Sequence, residues 1–422
     1  MTPSLKHFFA SLRERLWVKP LLVSLLSIGA ALLARALDAT GMGWHVPEIR
    51  RDSIEDLLKI LAASMMGVAT FAVASMVAAY SATGNTATPR AFPLVVADDV
   101  SQNALSTFIG AFIYSVVALI ALMNGYYGQA GRFSLFALTL AVLAIVVFTF
   151  SRWVDRIARL GRLGSVVAKV EQATAAALAR YRRNPARGGA ELAPGWTGGV
   201  PVFAGSVGYV QDVDIAALQR AAEKAQLRIA VTAIPGTLML PGRALALVSS
   251  EGDAAVDHAV VAAAFTLGPV RKFDHDPRFG LVALAEIAGR ALSPAVNDPG
   301  TAIGIIATLT RLLSTSSDAG AAKAGDEAGE VLHDRVSVAL VSQRDMFDDA
   351  FTPIARDGAA MIEIGVLLQH ALAALAADGD PAVREAARDH AALALARAEL
   401  ALTLPHDLAT VRQAASAGQL RR

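Results

Sequence analysis

The stretch ILAASMMGVATFAVASMVAAY, residues 60–80, decides the class of fold, because it holds no charged side chain over the length of a membrane span. About 20 helical residues cross a hydrocarbon core. Residues 19–37, 104–123 and 134–153 are similarly apolar. In the whole chain 54% of the residues are hydrophobic and only 18% are charged, whereas a soluble protein has about 25% charged residues. The sequence therefore predicts a four-helix transmembrane domain over residues 1–157.

Basic residues are distributed unequally around these four predicted spans. Lysine and arginine precede the first span and follow the fourth, whereas the loop of residues 124–132 holds one arginine. Cytoplasmic flanks usually carry the excess of positive charge. Arg50, Arg51 and Lys59, between the first two spans, run against this pattern. On balance we expect a multi-pass protein of the inner (plasma) membrane with both termini in the cytoplasm.

The second and third spans are rich in Gly, Ala, Ser and Thr, unlike the first. Small residues let helix backbones approach closely and hydroxyl groups bond across helices, but an uncharged pore uses the same residue types. The residue types of these spans therefore fit both tight helix packing and a pore, and the sequence does not decide between the two interpretations. No charged residue lies inside either span. This disfavours a proton relay or a transporter of charged substrates, because those proteins keep an ionisable group at mid-membrane.

Beyond the membrane domain the sequence pattern changes twice. Residues 158–199 predict a helical stalk, to about Tyr181, and then a linker; the apolar stripe of the stalk has to be buried, and partner subunits would cover it. Residues 200–251 predict a small β-rich module with one helix capped by Asp214. Residues 252–422 predict a mainly helical domain. The fold class is thus membrane α-helical with a cytoplasmic α+β domain.

The helices of the last domain are predicted from their apolar period at residues 255–265, 279–292, 300–313, 357–377 and 382–403. Residues 335–343, RVSVALVSQ, favour a strand. Residues 314–330 have the composition of a flexible linker.

The stretch RALSPAVNDPGTA, residues 290–302, interrupts the helical pattern with two prolines. Ser293 precedes Pro294, and Asp298 precedes Pro299. Each pair fits an N-cap followed by proline at the first helical position. The motif therefore predicts the end of one helix, a fixed turn and the start of another.

A functional interpretation of the same motif remains open beside this structural one. The exposed N-terminus of the second helix, with Arg290 and Asn297 nearby, would bind an anion. Asp298 disfavours that interpretation because it adds negative charge there. Glu286 and Arg290, four residues apart, are spaced as an ion pair on one helix face. The candidate residues of the motif are Glu286, Arg290, Ser293, Pro294, Asn297, Asp298, Pro299 and Thr301.

At FGLVALAEIAGRALSPAVNDPGTA, residues 279–302, the chain resembles the bacterial membrane-protein family of the domain of unknown function 2254. That resemblance implies four N-terminal spans and a signature of the form R-A-L-S-P-A-[IV]-N-D-P-x-T-A. Pro89 and Arg90, in the loop between the second and third spans, are further matches and candidate site residues. The chain departs from the family at His275, where glutamine is more common. The resemblance covers nearly the whole chain and implies membership without a particular activity.

No motif in the sequence assembles catalytic chemistry. The chain has no cysteine, which excludes disulfides and thiolate metal sites. The patterns GxGxxG, GxxxxGK, HExxH and GxSxG are absent. The DHD sequence of residues 274–276 offers metal-ligand types, but adjacent positions rarely converge on one ion. We therefore assign no catalytic, cofactor-binding or metal-binding residue and favour a protein that is not an enzyme.

The composition and the motif leave two main functions open. The first expectation is a homo-oligomeric inner-membrane protein with a channel-like pore gated by its cytoplasmic domain. The alternative is a non-conducting membrane sensor or scaffold whose cytoplasmic domain binds a ligand or a partner protein, and a membrane-bound enzyme comes third. The expected partners are membrane lipids and other copies of the chain, and no nucleic acid. A small ligand or ion is left unspecified.

Overall fold

The computed structural model describes residues 18–36, 47–86, 88–96, 99–157, 162–193, 195–196, 198–250, 257–314, 331–377 and 380–419. The chain divides into two compact units, Met1–Val166 and Val167–Arg422.

The described part of the first unit contains helices joined by short turns and no strand. Its elements are α1 (Val18–Ala36), α2 (Arg51–Thr86), a 3-10 turn (Pro89–Ala91), α3 (Phe92–Val96), α4 (Asp99–Met123) and α5 (Gln129–Ile157).

Three helices of the first unit are long and apolar enough to span a membrane: Arg51–Ser81, Val100–Met123 and Gln129–Ile157. They coincide with the second, third and fourth predicted spans. The first predicted span is helical as α1, but the apolar part within the described residues, Val18–Gly29, is shorter than a span. Three candidate membrane helices are therefore established, and the fourth span stays a prediction.

Helix α4 packs against α1, α2 and α5. A Cβ atom on Gly110 of α4 would collide with the side chain of Val23 on α1, so glycine is needed for this approach. The hydroxyl of Tyr114 lies 3.0 Å from the Thr139 hydroxyl of α5. The small and polar residues of the third predicted span therefore serve packing inside the chain.

Large apolar side chains remain exposed on the outer faces of α2 and α5. Examples are Ile60 at 64% and Phe71 at 63% on α2, and Phe148 at 63% on α5. Contiguous apolar surface of this kind is unfavourable in water and matches a hydrocarbon environment.

The second unit contains most of α6 and all later elements. Its helices are α6 (Leu163–Arg183), α7 (Ile215–Ala225), α8 (His258–Ala263), α9 (Phe279–Ala291), α10 (Pro299–Leu313), α11 (Gln343–Asp357), α12 (Ile362–Ala376), α13 (Pro381–Ala401) and α14 (Pro405–Gln419). Its strands are β1 (Gly189–Glu191), β2 (Val200–Phe203), β3 (Gly208–Val213), β4 (Leu227–Val231), β5 (Leu238–Met239), β6 (Ala244–Ser250), β7 (Phe265–Gly268) and β8 (His333–Val338).

The strands form two sheets. The larger has the order β1-β8-β4-β6-β2, with parallel pairing of β8 to both β1 and β4 and antiparallel pairing elsewhere; the smaller, β5-β3-β7, is antiparallel. Residues 200–251 hold only β2 to β6, so the sheets are completed by β1, β7 and β8 from sequence on either side. The β-rich part of the fold is therefore not one contiguous segment.

Several predicted boundaries need correction. Asp357 ends α11, whereas the sequence predicted that a helix begins there, and α12 starts at Ile362. Phe265 was predicted to end a helix but begins β7. The Asp214 cap of α7 is confirmed, because its carboxylate accepts from the Ala217 amide at 2.8 Å. The predicted linker lies outside the described residues except for Ser314.

The apolar stripe of the predicted stalk is buried within the chain only in part. Val166 and Val170 of α6 are at most 1% exposed, whereas Leu163 and Val167 are half-buried. Packing within the chain therefore covers part of this stripe, and the expected oligomer stays a prediction.

Candidate functional site

The motif of residues 290–302 connects α9 to α10 through a turn closed by its own hydrogen bonds. The Asn297 amide donates to the Ser293 carbonyl oxygen at 2.8 Å, and the Asp298 amide donates to the Ala291 carbonyl oxygen at 2.8 Å. The turn thus satisfies carbonyl groups that the end of α9 would otherwise leave unpaired.

Asp298 caps α10, as the sequence predicted. Its carboxylate accepts from the Thr301 amide at 3.1 Å and from the Thr301 hydroxyl at 2.6 Å. The Thr301 side-chain and backbone hydrogen bonds hold the pKa of Asp298 below its usual range. Pro299 occupies the first helical position. Because Asp298 already fills the N-terminus of α10, the structure disfavours an external anion at this helix end.

Ser293 does not cap a helix, contrary to the prediction. Residues 292–296 form turns, and the Ser293 hydroxyl donates back to the Arg290 carbonyl oxygen at 2.7 Å. A helix starting at Pro294 would have to run through Pro299, which lacks an amide proton and clashes with the preceding turn. Pro294 therefore lies in an exposed turn.

Asn297 has a backbone reason for its identity. Its φ of 48° places it in the left-handed region, where asparagine is among the few residues with a side chain that are tolerated well. Arg290, at the exposed end of α9, and Glu286, half-buried one turn earlier, both lie on the same helix.

We expect Asp298→Ala to destabilise the second unit by about 0.5–2 kcal/mol, since the α10 amides lose their acceptor. Because the folded-state pKa of Asp298 is lowered, this contribution is present above the usual Asp pKa and is lost as pH falls through the folded value. Hydrogen exchange of α10 at two pH values measures both effects. A pH-independent cost would contradict the assignment of the cap.

Pro89 and Arg90 form the 3-10 turn between α2 and α3. The Thr88 hydroxyl accepts from the Arg90 amide at 3.3 Å, and both Pro89 and Arg90 are exposed. The turn is not close in sequence to residues 290–302, and it belongs to the other unit.

Asp276 organises the start of α9. Its carboxylate receives Arg271 Nε at 2.6 Å and Nη2 at 3.0 Å, and it also accepts from the backbone amides of Arg278 and Phe279, both at 3.1 Å. Asp276 is 2% exposed. The carboxylate is therefore fully engaged within the protein, which removes it from the set of metal ligands considered for residues 274–276.

Metal-ligand residues do not cluster elsewhere in the described part of the chain: it holds no group of three or more His, Cys, Asp or Glu side chains placed to hold an ion. His390 is buried between the Ala386 carbonyl oxygen, at 2.7 Å, and the Asp348 carboxylate, at 3.0 Å. It connects α11 to α13 and has a structural role.

A cavity of about 350 Å³ lies in the second unit, at the C-terminal end of α6. Its apolar wall includes Val213, Val231 and Val338, from strands of both sheets. Its polar wall includes Arg180, Arg187 and His275. Small-molecule sites usually have volumes of about 300–1,000 Å³ and combine apolar walls with a few polar groups. The cavity has the size and lining of a small-ligand site.

The polar wall is built around Asp212. Arg187 Nη2 donates to the Asp212 carboxylate at 2.6 Å, and His275 Nε2 lies 3.9 Å from the same oxygen. Burial alone would raise the pKa of Asp212, but the contact with Arg187 and the nearby His275 lower it below the usual value. Asp212 therefore stays ionised and holds Arg187 in place.

Helix α6 is hydrogen-bonded to two other segments that line the cavity. Arg180 Nη2 donates to the Asp274 carbonyl oxygen at 2.6 Å. The Tyr181 hydroxyl accepts from the Val341 amide at 2.9 Å. The cavity is therefore framed by α6, the segment before α9 and the segment after β8.

Sequence reasoning missed this cavity. Its residues come from separate stretches of the chain, and Arg180 belongs to the basic residues that follow the fourth predicted span. The only available signal was the DHD sequence of residues 274–276, which was considered for metal ligation and contributes His275 to the cavity instead.

The fold combines three candidate membrane helices in the first unit with an α+β second unit that holds a cavity, which defines a helical membrane protein with a sheet-containing second unit. The family model described as predicted membrane protein (DUF2254), a domain of unknown function, matches residues 13–374. The chain belongs to this family. Helices α13 and α14 lie beyond the matched range. Searches among curated proteins and among solved structures each found no match.

Proposed function

We propose that the protein is a membrane-embedded sensor whose second unit binds a small ligand. The cavity at the C-terminal end of α6 carries this proposal, because it combines a ligand-sized volume with ordered polar groups. A protein of this kind needs no catalytic constellation.

Helix α6 offers a route by which binding is communicated. The boundary between the two units, Val166/Val167, falls inside this helix, and its last turns line the cavity. Arg180 and Tyr181 of α6, and Asn184 directly after this helix, are residues that a ligand would contact or displace. A change in their hydrogen bonds would act directly on the helix that leads to the membrane unit.

Identifying the small molecules that co-purify with the full-length protein tests this proposal. Ile234 lines the cavity, so Ile234→Trp should fill part of it and reduce the amount of a co-purified compound. Leu400→Trp, at a position 90% exposed on α13, is the matched control. Mass spectrometry of the denatured extracts should find a compound enriched with the wild type and the control. Equal amounts with all three proteins would contradict the proposal.

A homo-oligomeric channel-like pore is the second candidate. The exposed face of α2 supports it, because Ser64, Gly67 and Thr70 lie there without charge. Their small size suits close contact between copies in a membrane. Protein in liposomes, assayed for ion flux under voltage and osmotic stress, distinguishes the candidates: a sensor gives no flux above empty liposomes.

We further propose that the protein lies in the inner membrane with both termini in the cytoplasm. Reporter fusions at Gly43 and Gly128 should then report the outer side, and fusions at Thr88 and Arg422 the cytoplasm. The positive-inside bias is the reason for this expectation. An outward-facing C-terminus would contradict it and would place the cavity outside the cell.

A further inference from the structure

We propose that the cavity binds a small organic anion, with its oxyanion at Arg187 and Arg180 and its short apolar part along the valine wall. This inference rests on the proposed sensor function and names the chemistry of its ligand. It is carried by the arginine geometry, by the charges around the cavity and by the composition of its walls.

Arg187 is held in position but not fully paired. Its Nη2 donates to Asp212, whereas its Nη1 is buried and has no hydrogen-bond partner among the described residues. An unpaired buried donor of a charged group is costly, and native structures nearly always supply an acceptor. Because Nη1 has almost no accessible surface, a ligand oxygen in the cavity that Arg187 lines would become its acceptor only after a rotation of the Arg187 side chain toward the cavity.

The backbone around Arg187 is fixed as well. Its φ of 55° lies in the left-handed region, which is unfavourable for a residue with a long side chain. The turn is held by the Asn184 side chain, whose oxygen accepts from the Gly188 amide at 2.8 Å, and by the Arg187 amide, which donates to the Asn184 carbonyl oxygen. Strained backbone that is held in place by its surroundings is typical of ligand-binding positions.

The Arg180 guanidinium group, unlike that of Arg187, has no carboxylate partner among the described residues. Arg180 donates through Nε and Nη2 to the backbone oxygen of Asp274. Its charge is therefore not neutralised by this contact. The Asp274 side chain is exposed to solvent. A ligand oxyanion would meet the guanidinium groups of Arg180 and Arg187 and the His275 imidazole. The opposing negative charges are the carboxylates of Asp212 and Asp274. Guanidinium groups bind carboxylates and phosphates through paired hydrogen bonds.

The remaining wall selects an apolar body. Val213, Val231 and Val338 are each 3% exposed or less and present only methyl groups. A volume of about 350 Å³ suits a short chain or a small ring. Inorganic anions alone would leave this wall unfilled, so the oxyanion and the apolar part are expected in one molecule.

Hexanoate and hexanamide test the proposal, because they match in length and shape and differ in charge. Hydrogen exchange of the full-length protein in neutral-lipid nanodiscs reports binding at residues 177–187 and 272–277. We expect hexanoate to protect both segments and hexanamide to protect them much less. Arg187→Gln should raise the dissociation constant for hexanoate about tenfold or more. Arg220→Gln, on the exposed surface of α7, is the charge-matched control and should change nothing.

His275→Gln and hexyl phosphate complete the test. His275 is 44% exposed, so its substitution leaves the fold intact and should still weaken hexanoate binding. Hexyl phosphate shows whether the site prefers a phosphate to a carboxylate. Protection by hexanamide equal to that by hexanoate would overturn the anion assignment and leave the sensor proposal standing. The same holds if hexanoate binding is unchanged in Arg187→Gln and His275→Gln but lost in Ile234→Trp. Absence of protection by all three compounds would contradict the anion assignment, whereas a compound that co-purifies with the wild type and not with Ile234→Trp would still support a sensor.

Discussion

Asp276→Ala should destabilise the second unit by about 3–5 kcal/mol, the cost of breaking a buried ion pair. The substitution leaves the Arg271 guanidinium, 17% exposed, without its carboxylate. It also removes the acceptor for the two amides at the start of α9. Arg271 packs over the Phe279 ring at 5.2 Å, so the apolar surroundings cannot hydrate the freed charge. Hydrogen exchange of α9 in the full-length protein measures the loss.

An exposed pair of the same chemistry is the control for this prediction. Arg344 Nη1 and the Asp389 carboxylate lie 3.0 Å apart, with side chains 61% and 47% exposed. Asp389→Ala should cost less than about 1 kcal/mol, because solvent screens the pair. Equal costs for the two substitutions would show that Asp276 does not anchor α9 through burial.

Gly280→Ala should cost about 1–3 kcal/mol, although alanine is the better helix former. Gly280 lies in the first turn of α9, and a Cβ atom there would overlap Thr174 of α6. Thr174 is 1% exposed, and its hydroxyl donates to the Val170 carbonyl oxygen at 2.6 Å, so it cannot turn away without losing that bond. Thr174→Ala in the same chain should restore part of the stability.

Gly304→Ala should change the stability in the opposite direction. Gly304 lies in α10 with open space around its Cα atom, so alanine should stabilise the helix by about 0.5–1 kcal/mol. If both alanine substitutions stabilised the protein, the close packing of α9 against α6 would be wrong. Proteolysis in detergent monitors the unfolding of the second unit and measures the stability of both variants.

The parts of the fold that local chemistry determines were predictable from the sequence. Asp214 and Asp298 both cap the helices assigned to them, because a carboxylate before a helical period has a local role. Ser293 carries the same local signal but caps nothing, since Pro299 prevents a helix from starting at Pro294. The local pattern therefore located the break between the two helices. It did not show which of the two candidate residues, Ser293 or Asp298, caps a helix.

Long-range packing explains what the sequence did not predict. Helix α11 contains Pro353, which disfavours a helix, yet Phe347 and Phe351 are buried at 0% and 1% exposure and hold it in the core. The cavity was hidden for a related reason. Arg187 and His275 are distant in sequence, and the packing of the second unit brings them together around Asp212.

The reactivity of a single introduced thiol at the cavity tests the sensor account most directly. The chain has no cysteine, so Ile234→Cys provides the only thiol, and a membrane-permeant maleimide reports its accessibility. The account predicts slow modification in intact cells, where the ligand fills the cavity, and faster modification in washed membranes. Leu400→Cys, at the 90% exposed position, should react at the same rate in both. Equal rates for Ile234→Cys in cells and in washed membranes would contradict a cavity occupied by a cellular ligand.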